Sequence, residues 1–336
     1  MAAVFIIVYG GRRRHDLPDH RNHPLRPSAE PQSAPRALSE GPDATGRNLM
    51  SDRSFLTKVR DHIHLLAAWK AAAGLSAALR WKVLYLAVKL GFPGPAVWHV
   101  RPNQVAHPLQ ARLRGSSDML VFEQIFIHQA YSCLRELKEP SLVLDLGANV
   151  GFSAVYFLSV FPRARVVAVE PDAGNVAICR GNLSPYGDRV LLLHGAAWSR
   201  PATLRLLKGT FRDGREWSTQ VDELIEEERT FVGVQGWDVG SLIDMSGGKY
   251  VDLLKVDIER AELSVFSASA SSWLHRVRNI CIELHGKDCE EVFFAALKDF
   301  DYELEHSGEL TICRNLRIRK TSPNNDRIPT KVQPST

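Results

Sequence analysis

Two stretches of the chain end apolar runs in residues that can handle protons. "VDLLKVDIERAEL" (Val251 to Leu263) closes a buried strand pattern with Asp257, places Glu259 in the following turn and carries Glu262 onto the next helix. "IELHG" then offers Glu283 and His285, two residues apart and so on one face of an extended segment. Imidazole titrates near neutral pH, and carboxylates can orient it, so the set can take a proton from a hydroxyl as its oxygen attacks. The expected catalytic group is His285, Asp257, Glu259 and Glu283, with His285 as base and Asp257 or Glu283 orienting it. Asp257, Glu283 and His285 also have the chemistry of metal ligands. Because acids at such places commonly cap helices, the expectation is no metal.

The second constellation is "VLDLGANVGFSA", Val143 to Ala154. An apolar strand ends in Asp145, a turn of Gly147, Ala148, Asn149, Val150 and Gly151 follows, and a helix begins. Dinucleotides require Gly-x-Gly-x-x-Gly, so that a pyrophosphate can approach the backbone. Counting from Gly147, Asn149 and Phe152 occupy the second and third glycine positions, and the pattern fails twice. Asp-x-Gly-x-Asn-x-Gly suits S-adenosylmethionine, which has an amino-acid end and no pyrophosphate. Asp145 is placed to accept from its ammonium, directly or through water, and Asn149 to meet the carboxylate region. Gly147 and Gly151 let backbone come close. Glu170, 19 residues beyond Gly151, ends the next strand, where its two oxygens can take both ribose hydroxyls. Ala196 and Ala197 in "HGAAW" leave room for adenine.

These groups need a scaffold that brings strand ends to one rim. From Ser141 the pattern alternates: strands at "LVLDLG", "RVVAVEP", "RVLLLHGAAW", "YVDLLKVDIE" and "NICIELHG", helices at 152–161, 173–184, 260–272 and 288–299, and a closing hairpin "DYELEHSGELTICRN" turning at Ser307-Gly308. Doubly apolar strands between helices predict an open parallel sheet, with ligands beyond the strands' carboxyl ends. "ATLRLLKG" and "RTFVGVQGWDVGSLI" read as added strands. The polar stretch Gly209 to Phe231, with acids at Glu226 to Glu228, is long enough to lid the rim. Before the sheet, Ser51 to Leu90 reads as helix, divided at Gly74. Asp118 to Leu137 reads as an amphipathic helix. Trp81, Tyr85, Leu86, Lys82 and Lys89 are compatible with a membrane-surface helix; packing on the catalytic domain is the favoured reading. The expected division is a disordered extension over 1–50, a helical segment over 51–140, the catalytic domain over 141–315 and a disordered basic tail over 316–336.

Charge is uneven. Residues 50–140 carry 12 Lys/Arg against 6 Asp/Glu, residues 141–313 carry 17 against 26, and residues 314–336 carry 6 against 1. An acidic catalytic half argues against a nucleic-acid groove. Five cysteines with no C-x-x-C spacing argue against a disulfide framework or a zinc ribbon. The apolar run Ala2 to Tyr9 is too short to span a bilayer, and Arg12 to Arg14 follow it, the wrong order for a secretory signal. A soluble, cytoplasmic protein is expected, and Met50 is a second candidate for the translation start.

"VLDLGANVGFSA", "VVAVEPD", "DLLKVDIERAEL" and "IELHG", with "VFEQIFIHQAY" ahead of them, resemble the FkbM family of S-adenosylmethionine-dependent methyltransferases over Val121 to Asn315. The resemblance implies an α/β, doubly wound Rossmann-like sheet of seven strands with the last antiparallel. It also implies O-methylation of a hydroxyl on a sugar, glycolipid or polyketide-like small molecule. Two departures stand out: Arg260 where the family has glycine, and Gly236-Trp237-Asp238 where relatives have Thr-Leu-Asp. Arg260 would narrow the acceptor pocket or meet an acidic acceptor. The competing readings are an NAD(P)-dependent oxidoreductase of Rossmann type and a non-catalytic adenosine-binding module. The missing glycines count against the first; Arg260 alone favours the second.

Overall fold

Helices α1 (Leu49–Ala73) and α2 (Leu75–Lys89) meet at Gly74 in a computed structural model that describes residues 49–92, 95–207, 220–223 and 233–320. The expected extension before residue 49, the tail beyond 320, the acidic run at 226–228 and most of the expected lid lie outside the described residues. Trp69 of α1 stacks on Trp81 of α2 at 5.3 Å between ring centroids and on Phe122 at 5.1 Å. The other side of α2 is apolar as well: Leu75, Leu79, Val83 and Leu86 are exposed. Among the described residues, no helix is long and apolar enough to cross a membrane.

Strands β1 (Val97–Val100) and β2 (Leu109–Arg112) form an antiparallel hairpin. Helix α3 (Asp118–Phe122) then widens into a π turn over Glu123–Ile127. The single helix expected from Asp118 to Leu137 is therefore broken. An α-helix fans three successive side chains around its axis, yet Ile125, Phe126 and Ile127 are all buried. The wider turn accommodates this, and Gln129 (φ 57) ends it before a 3-10 turn at Ser132–Glu136.

The alternating part follows as β3 (Leu142–Leu146), α4 (Phe152–Val160), β4 (Arg165–Glu170), α5 (Ala173–Leu183), β5 (Val190–Ala197), β6 (Ala202–Leu207), β7 (Gln220–Glu223) and β8 (Val234–Trp237). It continues through α6 (Val239–Met245), β9 (Leu253–Val256), α7 (Glu262–Val265), β10 (Ile280–Glu283), α8 (Lys287–Ala296), β11 (Phe300–Ser307) and β12 (Leu310–Ile318). Among the described residues, the ten strands outside the first hairpin join one sheet, in the order β11-β12-β10-β9-β3-β4-β5-β8-β6-β7. The run from β11 to β5 is the expected seven-stranded sheet. Strand β12 lies antiparallel between β10 and β11. Strands β8, β6 and β7 lengthen the sheet past β5, so β7 converts part of the expected lid into an edge strand.

Strand β3 is buried at every position and pairs in parallel with β4 on one side and β9 on the other. The chain winds away from β3 in both directions, which opens a crevice at its carboxyl end. The helix expected over 260–272 is shorter, with 3-10 turns after α7. The run Ser267 to Ser272 holds four serines, whose hydroxyls compete with helical backbone bonding.

Candidate active site

The glycine turn sits at that crevice. Gly147 (φ +79) and Gly151 (φ +85) are in the left-handed region, where a side chain is strained. A Cβ on Gly147 would lie 1.8 Å from the carbonyl oxygen of Asp257, and one on Gly151 would lie 2.9 Å from Cys179 Sγ. Both glycines thus serve close packing inside the protein. The Gly147 contact also locks the turn against the end of β9.

Glu170, at the end of β4, is 5% exposed. Its carboxylate accepts from the backbone N–H of Asn149 (2.8 Å) and of Asp172 (2.9 Å), and from the Asn175 side chain (3.1 Å). Burial outweighs these donors and pushes its pKa up to about 7. Asn149 takes φ 50, and its buried side-chain oxygen has no partner. A buried acceptor of that kind is costly unless a donor reaches it. Glu170 and Asn149 therefore form one unit, joined by a hydrogen bond that neither motif reveals alone.

Asp145 is placed differently from the expectation. It is fully buried; Oδ2 accepts from Ser153 Oγ (2.6 Å), and Oδ1 pairs with Lys255 Nζ at 3.1 Å. Both oxygens thus have protein partners. Lys255 also donates to the carbonyls of Gly147 (2.7 Å) and Leu146 (3.3 Å). Burial works against its charge, but Asp145 and Asp257 prevail and raise its pKa. Lys255 was missed in the sequence reading. The signal was present: a lysine inside the apolar strand "LLKV" must find a counter-charge. Glu170 is level with His194, and Ala196 and Ala197 follow at the end of β5, paired with Gly236 and Trp237 of β8. Ala196 packs with Leu204 and Val234, and Ala197 with the cluster that includes Val239 and Leu242.

The acidic rim adjoins this turn. His285 follows β10, with its Nδ1 2.8 Å from Glu262 Oε1. A carboxylate only accepts, so Nδ1 carries the proton. Glu262, fully buried on α7, is thus the orienting group, in place of Asp257 or Glu283. The other ring nitrogen, Nε2, is buried without a hydrogen bond. It faces Asp257 Oδ1 at 3.7 Å, Glu259 Oε2 at 3.6 Å and Glu283 Oε1 at 3.5 Å. All four expected catalytic residues therefore meet at one point. Burial lowers the affinity of His285 for its proton, but the Glu262 hydrogen bond and the surrounding carboxylates lift its pKa to about 10. Burial and the neighbouring acids hold Asp257 at about 6, against the pull of Lys255. Among the carboxylates facing Nε2, Asp257 has the most exposed side chain, at 35%.

Glu259 (φ 50) and Arg260 (φ 80) both take left-handed backbone, where glycine would be at ease. Arg260 folds outward, donating to the His285 carbonyl at 2.9 Å and pairing with Asp288. The guanidinium is thereby tied to His285 and to the first turn of α8. Asp238, in the other departing segment, caps α6 by accepting from Ser241 N–H at 3.0 Å.

A family model for the methyltransferase FkbM domain matches residues 145–307. The chain is 30% identical over 202 residues to the AMB antimetabolite synthetase AmbE of Pseudomonas aeruginosa, which covers 50% of this chain and 9% of that protein. It is 26% identical over 198 residues to the 2-O-methyltransferase NoeI of Sinorhizobium fredii, covering 54% of this chain and 79% of that one. A solved methyltransferase FkbM of Methylobacillus flagellatus KT is similar at 17% identity and a TM-score of 0.39, over 54% of this chain and 45% of that chain. The match spans β3 to β11 and takes in both the glycine turn and the acidic rim: residues 145–307 are a methyltransferase domain of the FkbM family.

Proposed function

We propose that the chain is an S-adenosylmethionine-dependent methyltransferase that acts on a hydroxyl of a sugar, glycolipid or polyketide-like small molecule. The observation that carries this reading is the direct contact between the glycine turn and the acidic rim, through Gly147 and Asp257. The residues fit the cofactor. Glu170 would take the ribose hydroxyls, the orphaned Asn149 oxygen would accept from the ligand, and Gly147 to Gly151 would line its amino-acid end. When bound, S-adenosylmethionine supplies an electrophilic methyl group. The chain's own residues align the acceptor and take its proton; as the hydroxyl oxygen attacks, that proton passes to a rim carboxylate. Asp257, the most exposed of them at the end of β9, is the acceptor in this reading. Polar rims of this composition suit polyhydroxylated acceptors, and the likeness to a 2-O-methyltransferase supports oxygen as the target.

Titration calorimetry with S-adenosylmethionine, S-adenosylhomocysteine, NAD and NADP tests the cofactor. Micromolar binding of the first two, and of neither dinucleotide, is expected. Binding of NAD alone would overturn the reading. Transfer of a labelled methyl group to hydroxyl-bearing glycans, followed by alkaline treatment that spares ethers and cleaves esters, tests oxygen as the target.

A further inference from the structure

We propose that His285, Asp257 and Glu283, with Glu259 beside them, form a binding site for a first-row divalent cation of the manganese or zinc kind. The ligand atoms offered by Asp257, Glu283 and His285 lie within 4.8 Å of one another. Four carboxylates surround the ring: Glu262 at Nδ1, and Asp257, Glu259 and Glu283 at Nε2. Lys255, a cation at this rim, is 3.1 Å from Asp145 and 3.9 Å from Asp257. Arg260 pairs with Asp288. The rim thus gathers acidic side chains around one imidazole.

The histidine is the second and independent observation. Its side chain is fully buried, and Nε2 points into the carboxylates at 3.5–3.7 Å, too far for good hydrogen bonds. Ligands about 2.0–2.2 Å from a central ion stand about 3.3–3.6 Å apart in tetrahedral geometry, so the Nε2-to-oxygen separations are near that spacing, and the full set, within 4.8 Å, would draw inward around an ion. Behind the ring, Glu262 accepts from Nδ1 and holds the ring so that a metal displacing the Nε2 proton would find it oriented, the carboxylate–histidine arrangement of metal-binding imidazoles. One imidazole among carboxylates selects manganese, iron or zinc over calcium, which takes oxygen ligands alone. The inference deepens the methyltransferase reading and rests on it for its catalytic meaning. A hydroxyl bound to the cation would lose its proton more readily, and the Asp257 carboxylate oxygen not engaged by the ion would receive that proton.

The site is tested on the full chain, stripped with a chelator and free of cofactor and acceptor. Manganese(II) is added, and its free-ion electron paramagnetic resonance signal is followed. One ion bound per chain at micromolar concentration is expected, with spin-echo modulation from a single imidazole nitrogen. Asp257→Asn and Glu283→Gln should each weaken binding at least tenfold. Glu262→Gln, acting through Nδ1, should weaken it about 10–100-fold. Failure to bind either manganese or, by calorimetric titration of the stripped chain, zinc(II), a bound manganese ion without imidazole modulation, or binding unchanged in Asp257→Asn and Glu283→Gln would each overturn the site. The wild-type modulation does not depend on the variants folding. Cofactor binding without metal binding would sink this inference alone; metal binding without methyl transfer would leave the site standing and count against the proposed activity.

Discussion

Replacing Lys255 by methionine keeps the buried stem and removes the charge. In the native chain, Lys255 Nζ lies 3.1 Å from Asp145 Oδ1 and donates to the Gly147 and Leu146 carbonyls, with almost no solvent access to either charged side chain. At an effective dielectric of 20, unit charges at that separation attract by about 5 kcal/mol. The methionine variant leaves Asp145 ionised, buried and short of a partner, a situation that costs about 3–5 kcal/mol. With a urea slope of about 3 kcal/mol per molar, the unfolding midpoint should fall by about 1–1.7 M. Adding Asp145→Asn to Lys255→Met removes the stranded charge, so the double variant should recover about 2 kcal/mol. Equilibrium urea unfolding, followed by tryptophan fluorescence, measures all three. A loss below about 1 kcal/mol in Lys255→Met, or single-variant losses that simply add, would refute the assignment of Lys255 as the charge that permits Asp145 at the switch point.

Gly147→Ala forces a Cβ against the Asp257 carbonyl from a positive φ; it should cost about 3 kcal/mol or more and abolish S-adenosylmethionine binding, read by thermal melting and calorimetry. Glu123, which accepts from Trp69 Nε1, is pushed by burial to about 6. A raised carboxyl pKa means that the folded state holds the proton more tightly, so stability falls as pH rises from the unfolded value toward 6. Glu123→Gln should therefore stabilise the chain by about 1–2 kcal/mol at pH 7.5 and have little effect at pH 4. Glu170, held at about 7, should lose its proton when ribose hydroxyls bind. S-adenosylmethionine affinity should then fall about tenfold from pH 8 to pH 6, with a calorimetric enthalpy that varies with buffer. Affinity independent of pH and buffer would remove Glu170 from the site.

Much of this was legible in order and spacing. The strands around "LVLDLG" and "RVVAVEP" are apolar on both faces, which only a doubly covered parallel sheet requires. The turn from Gly147 to Gly151 and the acids at Asp257, Glu259 and Glu283 fall at strand ends, and topology sends those ends to one rim. The closing hairpin was equally plain, though its turn falls at Gly308-Glu309, one residue beyond the Ser307-Gly308 expected. What spacing did not carry was the set of partners around one side chain. Ala196 packs with Leu204 and Val234 of the neighbouring strands, and Asp145 pairs with Lys255, 110 residues away.

The sequence by itself determined the periodicity, and with it the sheet, the crevice beside β3 and the residue types that reach it. Tertiary structure alone decided which charges meet. It paired Lys255 with Asp145, turned Glu262 onto His285, and aimed His285 Nε2 at three carboxylates. The physical reason is range. Strand and helix patterns follow from neighbours within a few residues, whereas a buried charge is balanced by whatever the packed sheet brings within a few ångströms, however distant along the chain.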